Sequence, residues 1–315
     1  MLPAMSDPPS PADPWTLYWQ ADHLQSCVPA DGNRPPGAVG RLWQDFARGL
    51  PTDARVLDLA TGNGAVPMAL RTAVPTLSVT GVDQAAIDPQ RHLSRAGLLR
   101  EVRFVGGVDL RGPAQLGRFD AVTSQYGVEY LGIEAAAAAV AGHLAPEGRF
   151  LLLVHVTDSA LVRPRRADLE ELGILLETGP AADLNALLAG ELEPGALESR
   201  TRAFLARDLR RTRHLSGQVV AAVDRVLGLL EVGQGDAARA LAGNLVTRVH
   251  AERGRLEQLL AAALAPAELN RLVECLAEQG LACDPPRSLI TDPGDGGHLL
   301  GVVLAGRAGP ACRSS

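Results

Sequence analysis

The sequence predicts an α/β protein built on an open, doubly wound, mostly parallel sheet. Short apolar runs of the kind that form buried parallel strands recur over the first half of the 315-residue chain. The first of these runs meets a glycine-rich turn and then a helical pattern, which together form the opening unit of a nucleotide-binding sheet. A long stretch of helical periodicity, residues 160–265, separates these runs from a final helix and two more β runs.

The opening unit runs from Arg55 to Ala73. The apolar strand Arg55–Leu59 leads into the small-residue turn Ala60–Gly64, and Ala65–Ala73 has the pattern of a helix. Glycine is needed in this turn because the backbone must bend tightly and approach a ligand closely. The free N–H groups at the start of the following helix point at that ligand. The turn is therefore the predicted cofactor site.

Two residues around this turn indicate the class of ligand. The dinucleotide fingerprint G-x-G-x-x-G is incomplete, because Pro67 stands where the third glycine belongs. Asp58, just before the turn, would repel a pyrophosphate, whereas a carboxylate in that place suits a cationic ligand. The pattern therefore favours a cofactor that carries positive charge.

The pattern Asp58-x-Ala60-x-Gly62-x-Gly64 resembles motif I of the class I S-adenosylmethionine-dependent methyltransferases. The resemblance implies a cofactor with a sulfonium and an ammonium group, and a Rossmann-like seven-stranded sheet whose last strand is antiparallel. Ala60 replaces the family's usual first glycine. We expect alanine to be tolerated there only if its φ is negative.

A second resemblance lies at the end of the predicted second strand, Leu77–Asp83. Asp83 follows Gly64 by about 19 residues, where doubly wound folds place a carboxylate that accepts the ribose hydroxyls. In the methyltransferase family this acid holds the adenosyl ribose. The alternative is that Asp83 caps a helix that begins at Gln84.

The third strand, Val102–Gly106, departs from the family pattern. Gly107 stands where an acidic residue usually contacts the adenine amino group, so that contact falls to Asp109 or to backbone groups. The candidate cofactor residues, taken from the turn and from the ends of the four strands, are Asp58, Ala60, Thr61, Gly62, Asn63, Gly64, Asp83, Gln84, Val108, Asp109, Ser124 and Gln125.

The fourth strand, Arg118–Ser124, begins with the phenylalanine–aspartate pair that is common in the family. Ligands of open α/β sheets bind outside the carboxyl ends of the strands, which places the following loop, Gln125–Tyr130, at the reaction centre. The chain lacks the Asn-Pro-Pro-aromatic signature of amino-group methylation on DNA bases or glutamine, and the Pro-Cys pair of cytosine-C5 enzymes. The sequence disfavours both substrate classes.

The fifth strand, Phe150–His155, follows a turn whose L-x-P-x-G pattern is a third resemblance to the family. An oxygen nucleophile needs a proton acceptor within about 3 Å, and His155 at the carboxyl end of this strand is the best-placed catalytic candidate. The alternative is a buried or capping histidine. Tyr126 is the second catalytic candidate, and the candidate substrate-binding residues are Trp19, Glu129 and Tyr130.

Residues 1–40 are predicted to hold a disordered tail, an aromatic helix and a linker. Trp15, Tyr18 and Trp19 are spaced to share one face of a helix. That face either packs on the sheet or forms a lid over the cofactor or substrate, and His23 reaches the acceptor pocket only if the helix folds over it. The proline- and glycine-rich linker, Pro29–Gly40, precedes an amphipathic helix over residues 42–50.

Residues 160–265 form a predicted helical insertion that binds substrate or acts as a lid. Their arginine cluster is either a solvated face paired with nearby glutamates or a site for an anionic substrate or partner; its members are Arg200, Arg202, Arg207, Arg210, Arg211 and Arg213. The methyltransferase core is predicted over residues 41–159 and 266–308, and residues 309–315 form a tail. The last core segment contains a helix, Pro266–Gly280, and an antiparallel hairpin of Ser288–Thr291 with Leu299–Ala305.

Composition narrows the function classes. The formal charge of −6 argues against a general nucleic-acid binder. The four cysteines include no C-x-x-C pair, so the sequence predicts neither a metal site nor a disulfide. The N-terminus has no signal-peptide layout, and no apolar run reaches the roughly 18 residues of a membrane span. We therefore predict a cytoplasmic protein.

The predicted function is methyl transfer from S-adenosylmethionine to a small-molecule acceptor through an oxygen or nitrogen nucleophile. The helical character of the elements that would cover the pocket and the acidic surface favour an acceptor of this size. A protein or RNA methyltransferase is the alternative, and the arginine cluster is its only support. A nicotinamide-dependent oxidoreductase or a catalytically inactive cofactor-binding protein is a further alternative. The sequence leaves the acceptor and the oligomeric state open.

Overall fold

The computed structural model describes residues 13–21, 23–26, 37–94, 97–111, 116–208 and 214–310. They fall into two compact units. The helical unit holds the described residues up to Leu17 and residues 164–257, and the sheet unit holds those of 18–163 and 258–315. The predicted tails cover residues 1 to about 14 and 309–315. Of these, residues 1–12 and 311–315 lie outside the described residues, as do most of the predicted linker, Cys27 and Cys312.

The sheet unit is built on a mixed sheet with the order β3-β2-β1-β4-β5-β8-β6, in which β7 also pairs with β8. Strands β1 to β5 run parallel, and β8 runs antiparallel to β5, β6 and β7. The strands are β1 Arg55–Leu59, β2 Ser78–Val82, β3 Arg103–Val105, β4 Phe119–Gln125, β5 Leu144–Val154, β6 Leu281–Cys283, β7 Arg287–Ile290 and β8 Leu299–Ala308. The predicted doubly wound sheet and its antiparallel end are confirmed, with β6 as a strand that the sequence did not predict.

The described helices follow the chain as α1 Pro14–Trp19, α2 Ala38–Arg48, α3 Ala65–Ala73, α4 Pro89–His92, α5 Ile133–His143, α6 Arg165–Glu177, α7 Pro180–Leu188, α8 Pro194–Asp208, α9 His214–Glu231, α10 Gly235–Ala262 and α11 Pro266–Glu278. Helix α2 begins inside the predicted linker, after its N-cap residue Gly37, and ends before Leu50, with Gly49 as its C-cap residue. None of these helices is long and apolar enough to cross a membrane.

The two faces of the sheet are covered by different helices. Along β1, Val56 packs in one apolar cluster with residues of α2 and α3, and its neighbour Leu57 packs in the other cluster with residues of α5 and α11. Successive residues of a strand point to opposite faces, so both faces of β1 are buried. This sandwiching leaves the ends of the strands as the part of the sheet that a ligand can approach.

The helical unit has apolar clusters of its own. Leu184, Val223 and Val226 are fully buried in one cluster, and Leu175 and Leu256 are fully buried in another. These contacts explain the helical periodicity that the sequence shows over this stretch.

The arginine cluster is described in part. Arg200 forms an ion pair with Asp183 at 2.9 Å, and Arg202 forms one with Glu198 at 2.6 Å. The side chain of Arg207 and the residues Arg210, Arg211 and Arg213 lie outside the described part of the chain.

Gly306 of β8 occupies a position with no room for a side chain. A Cβ added there would lie 2.1 Å from the carbonyl oxygen of Ala282 on β6 and 2.8 Å from the ring of Phe150 on β5. We expect Gly306→Ala to lower the free energy of unfolding by about 1–3 kcal/mol, because overpacking forces these strands apart. Urea unfolding of the full chain measures the change.

Gly142→Ala is the matched control, because an added Cβ at this position on α5 meets no atom within 4 Å. Alanine is the better helix former by about 1 kcal/mol, so this variant should be as stable as the parent chain or slightly more stable. Equal unfolding midpoints for the two variants would contradict the close packing of β8.

Candidate cofactor and acceptor site

The candidate cofactor residues surround the carboxyl ends of the parallel strands. The strand order reverses beside β1, which lies between β2 and β4. Ligands of open α/β sheets bind in the crevice outside this reversal point. Asp58 lies in β1, the turn 60–64 follows it, and Ser124 and Gln125 end β4. The fold therefore brings the ends of these two strands together as the sequence predicts.

Asp58 is a buried acid at the head of the glycine turn. Its side chain is 1% exposed, and its Oδ1 accepts a hydrogen bond of 2.8 Å from the hydroxyl of Thr123 on β4. Burial raises the pKa of Asp58 to about 7, against the lowering effect of its hydrogen bonds, and the charge of Asp83 adds to the rise. A cation bound beside this carboxyl group would favour its ionised form.

The glycine turn uses left-handed backbone at three positions. The φ angles are 54° at Ala60, 53° at Gly62 and 86° at Gly64. The expectation of a negative φ at Ala60 is therefore wrong: the turn keeps the left-handed geometry, at a cost of about 1–2 kcal/mol for a residue with a Cβ. Gly127 makes room for the methyl group, since a Cβ added at Gly127 would lie 2.4 Å from the Cβ of Ala60.

Asp83 supports the turn from the end of β2. Its Oδ2 accepts a hydrogen bond of 2.7 Å from the backbone N–H of Gly62, and its Oδ1 accepts one of 2.8 Å from the N–H of Ala85. Asp83 does not cap a helix, because α4 begins later and Asp88 accepts the capping bond from the N–H of Arg91. The carboxylate of Asp83 thus faces the turn that the cofactor would approach.

Asn63 joins the turn to the described N-terminal residues. Its side chain is fully buried, and its Nδ2 donates hydrogen bonds to the carbonyl oxygens of Trp19 at 2.9 Å and His23 at 2.8 Å. The indole of Trp19 lies against Gly62, because a Cβ added there would be 2.4 Å from the ring. Tyr18 stacks on His23 with 4.9 Å between the ring centroids.

In the helical unit, the guanidinium of Arg255 lies 5.5 Å from the ring centroid of Trp15.

The other cofactor candidates differ in exposure, with Ser124 buried and Val108 partly buried. The hydroxyl of Ser124 donates to the carbonyl oxygen of Leu59 at 2.8 Å. The backbone N–H of Val108 donates to the backbone carbonyl oxygen of Asp83 at 3.0 Å. Gln84 is exposed. Asp109 is also exposed, and its Oδ1 accepts a hydrogen bond of 2.9 Å from the N–H of Arg111.

The sequence did not predict the contacts that Gln125, Thr123 and Gly127 make. The Oε1 of Gln125 accepts a hydrogen bond of 2.6 Å from the indole N–H of Trp43, so this candidate also fixes α2. Nothing in the sequence indicated Thr123 or Gly127 as site residues. Thr123 lies opposite Asp58 in the register of β1 and β4, which is a signal only after the strand order is known.

The loop after β4 meets the end of β5 in a buried pair of ionisable residues. The Oε1 of Glu129 lies 2.9 Å from the Nδ1 of His155 and accepts the backbone N–H of His155 at the same distance. Both side chains are fully buried. The ring centroid of Tyr126 is 4.3 Å from that of the imidazole, and the ring centroid of Tyr130 is 6.4 Å away.

Tyr126 itself is fixed by its hydroxyl group and has an unusual backbone conformation. Its hydroxyl donates to the carbonyl oxygen of Leu300 at 3.2 Å, and its backbone has a φ of 54°. A left-handed residue with a large side chain is strained, and such strain is common at functional sites. Of the candidates for acceptor chemistry, the structure thus brings together Tyr126, Glu129, Tyr130 and His155, whereas it places Trp19 on the glycine turn.

Residues 56–148 match a protein family described as a methyltransferase domain. Among solved structures, the chain is similar to an O-methyltransferase family protein from Burkholderia thailandensis, with 16% identity, 87% of this chain and 57% of that chain covered, and a TM-score of 0.42. It is also similar to CalS10, an amino pentose methyltransferase from Micromonospora echinaspora, with 29% identity and a TM-score of 0.31. This match covers 39% of this chain and 52% of that chain.

A third similar structure is a 1,6-didemethyltoxoflavin-N1-methyltransferase from Burkholderia thailandensis, with 14% identity and a TM-score of 0.42. This match covers 86% of this chain and 79% of that chain. The chain spans little more than half of the length of the first two structures. Among curated proteins, none matches the sequence of the chain.

The matched region contains β1 to β4, the glycine turn and both acids that flank it. The buried carboxyl group of Asp58 suits a cofactor with positive charge, and the carboxylate of Asp83 lies against the glycine turn. The buried Oδ1 of Asn63 has no hydrogen-bond partner among the described residues and can accept a bond from a ligand. These residues fit S-adenosylmethionine, and the family match identifies residues 56–148 as a methyltransferase domain.

Proposed function

We propose that the chain transfers the methyl group of S-adenosylmethionine to a small-molecule acceptor through an oxygen or nitrogen nucleophile. The observation that carries this proposal is the buried Asp58 at the head of a glycine turn that Asp83 supports. When bound, S-adenosylmethionine supplies a methyl group on a positively charged sulfur. The protein then contributes by holding the acceptor in line with that methyl group and by excluding water.

On the cofactor side, the proposed roles follow from charge and hydrogen bonding. The carboxylate of Asp58 attracts the cationic end of the cofactor, because a buried carboxylate interacts strongly with a nearby positive charge. Asp83 accepts hydrogen bonds from the ribose while it also accepts the N–H of Gly62. The first N–H groups of α3 complete the site, since they have no acceptor within their own helix.

On the acceptor side, we propose His155 as the proton acceptor for an oxygen nucleophile. The carboxylate of Glu129 accepts a hydrogen bond from Nδ1, which leaves Nε2 as the nitrogen that takes up the proton. Tyr126 packs on the imidazole, and its hydroxyl is bonded to a backbone carbonyl, so its proposed role is to hold the ring. The imidazole is fully buried, so an acceptor reaches Nε2 only after the residues that cover the ring have moved.

A small-molecule acceptor is favoured over RNA or protein by the charges of the chain. The formal charge is −6, and a nucleic-acid partner would require a broad basic surface. The described members of the arginine cluster, Arg200 and Arg202, already pair with Asp183 and Glu198. A solvated face is therefore the better explanation for these two side chains.

The test is the fate of a radioactive methyl group. The full chain is incubated with S-adenosylmethionine labelled on the methyl group, together with a panel of phenols, amines and amino sugars. Parallel reactions contain total RNA or total protein. Label in an extractable small molecule supports the proposal, whereas label only in the RNA or protein fraction contradicts it. The Asp83→Ala variant serves as the control for methyl transfer that does not use this site.

Asp83→Ala should weaken binding of S-adenosylhomocysteine about 10- to 100-fold. The reason is the loss of hydrogen bonds to a charged group, each worth about 1.5–3 kcal/mol. Calorimetry measures the affinity, and circular dichroism checks the fold. Asp109→Ala is the matched control, because the side chain of Asp109 is exposed and bonds within its own loop. If both variants bind as the parent chain does, Asp83 only supports the turn.

The pKa of Asp58 predicts that affinity depends on pH. S-adenosylhomocysteine should bind more tightly as the pH rises from 6 to 8, because the carboxylate that attracts its ammonium group forms as the pH passes about 7. At pH 6, binding should release close to one proton, which calorimetry in two buffers of different ionisation enthalpy measures. Asp58→Asn should abolish this release, and a release that persists unchanged in the variant would contradict the assignment to Asp58.

The same pKa predicts the opposite trend for stability. The folded-state pKa of about 7 lies above the ordinary aspartate value of 3.8, so the free energy of unfolding should fall as the pH rises between these values. Asp58→Asn has no charge to bury and should melt at a higher temperature than the parent chain at pH 8. The two proteins should melt alike at pH 4, where both carry a neutral group. A larger difference at pH 4 than at pH 8 would contradict the burial argument.

A further inference from the structure

The orientation of the Asn63 amide is fixed by its neighbours. Its Nδ2 lies within hydrogen-bond distance of two backbone carbonyl oxygens, at 2.9 Å from that of Trp19 and 2.8 Å from that of His23. An amide nitrogen has two hydrogens, and both are used here. Rotating the amide would place Oδ1 against two oxygens that also accept hydrogen bonds. The nitrogen therefore faces the N-terminal residues, and the oxygen faces elsewhere.

The amide oxygen of Asn63 is buried without a donor. Within the described residues Oδ1 has no hydrogen-bond partner, and the side chain as a whole has no exposed surface. A buried oxygen left unpaired is unfavourable, so a ligand that donates a hydrogen bond to it removes that penalty. Asn63 lies between Gly62 and Gly64, in the turn that the cofactor approaches. Its oxygen is therefore an acceptor available to a group of the cofactor.

The N-terminal residues held by Asn63 form a packed unit, which we call the N-terminal clamp and define as residues 18–21 and 23. The rings of Tyr18 and Trp19 meet edge to face at 4.9 Å, and the ring of Tyr18 stacks on that of His23. Trp19 is 8% exposed and lies on Gly62, a neighbour of Asn63. The clamp therefore contacts the turn through one ring and through two hydrogen bonds from a single side chain.

We propose that Asn63 couples closure of the N-terminal clamp to cofactor binding, with its nitrogen holding the clamp and its oxygen accepting a hydrogen bond from the ammonium group of the cofactor. The proposal rests on the proposed function. A serine could supply one donor, and an aspartate no donor at neutral pH, whereas asparagine supplies two donors and an acceptor on a short side chain. Because coupling is reciprocal, the factor by which the clamp tightens cofactor binding equals the factor by which the cofactor stabilises the closed clamp.

The experiment combines calorimetry with hydrogen exchange on the full chain, and S-adenosylhomocysteine is the probe. The variants are Asn63→Ala, which removes both functions of the amide, and Asn63→Asp, which removes the donors and keeps an acceptor. Asn270→Ala, at an exposed position of α11, is the matched control. Mass spectrometry follows exchange of the backbone amides in residues 18–26, and circular dichroism checks that each variant folds.

The expected results separate the two ends of the side chain. In the parent chain, S-adenosylhomocysteine should slow exchange in residues 18–26 about threefold or more. Without ligand, both Asn63 variants should exchange faster there than the control, because the clamp loses its two hydrogen bonds. Asn63→Ala should bind the probe about 10- to 100-fold more weakly, because it loses the bond to the ammonium group together with the two bonds that hold the clamp. Asn63→Asp should bind more tightly than Asn63→Ala, since its carboxylate still accepts from the ammonium group.

Trp19→Ala completes the test as a double-mutant cycle with Asn63→Ala. If both residues act through one closed clamp, the double variant should bind the probe less weakly than the sum of the single changes predicts. Additive effects would overturn the coupling, as would Asn63→Ala binding the probe as tightly as the control. Unchanged exchange in residues 18–26 of the parent chain upon probe binding would also overturn it. Failure of the parent chain to bind the probe at all would instead contradict the proposed function together with this proposal.

Discussion

The rest of the site depends on keeping a carboxyl group in a place from which water is excluded. Asp58 is almost fully buried between β2 and β4, and only its neighbours can compensate for its lost hydration. Thr123 supplies one hydrogen bond from the adjacent strand. Asp83 adds a second negative charge to the same site and raises the pKa of Asp58 further. The site is thus incomplete electrostatically until a cation joins it, and this is the property that a sulfonium- and ammonium-bearing cofactor satisfies.

Backbone strain marks the same edge of the sheet. Among the described residues, the non-glycine residues with positive φ are Ala60, Tyr126 and Glu147. Ala60 follows β1 and Tyr126 follows β4, so two of these residues border the crevice at the reversal of strand order. Strained residues persist only where surrounding contacts fix them, and both are fixed by packing and backbone bonds. The glycine turn and the loop after β4 are therefore both fixed by packing and backbone hydrogen bonds at a strained residue.

The sequence predicts most of the sheet because its signals are local. Apolar runs, the glycine turn and the acids at the ends of β1 and β2 are each visible within a few residues. Strand β6 was missed because three residues carry too little periodicity to stand out from a loop. The positive φ of Ala60 was missed because it depends on the space that Gly127 leaves more than sixty residues later.

The contacts of the candidate site were harder to predict than its location. His155 and Glu129 are both visible as candidates, but their pairing depends on how the loop after β4 folds onto the end of β5. The contact of Asn63 with the N-terminal residues links positions about forty residues apart and leaves no local pattern. Residue types that suit a ligand can be recognised from sequence, whereas the partner that each one meets is decided by tertiary packing.

The contact between Ala60 and Gly127 restricts the order in which this chain can change. The methyl group of Ala60 occupies the volume that a side chain at position 127 would need. Glycine at position 60 would suit the left-handed backbone and empty that volume, so this replacement is open at any time. A larger residue at position 127 is compatible with the turn only after position 60 has become glycine. Substitutions at the two positions must therefore occur in one order, with the change at position 60 before the change at position 127.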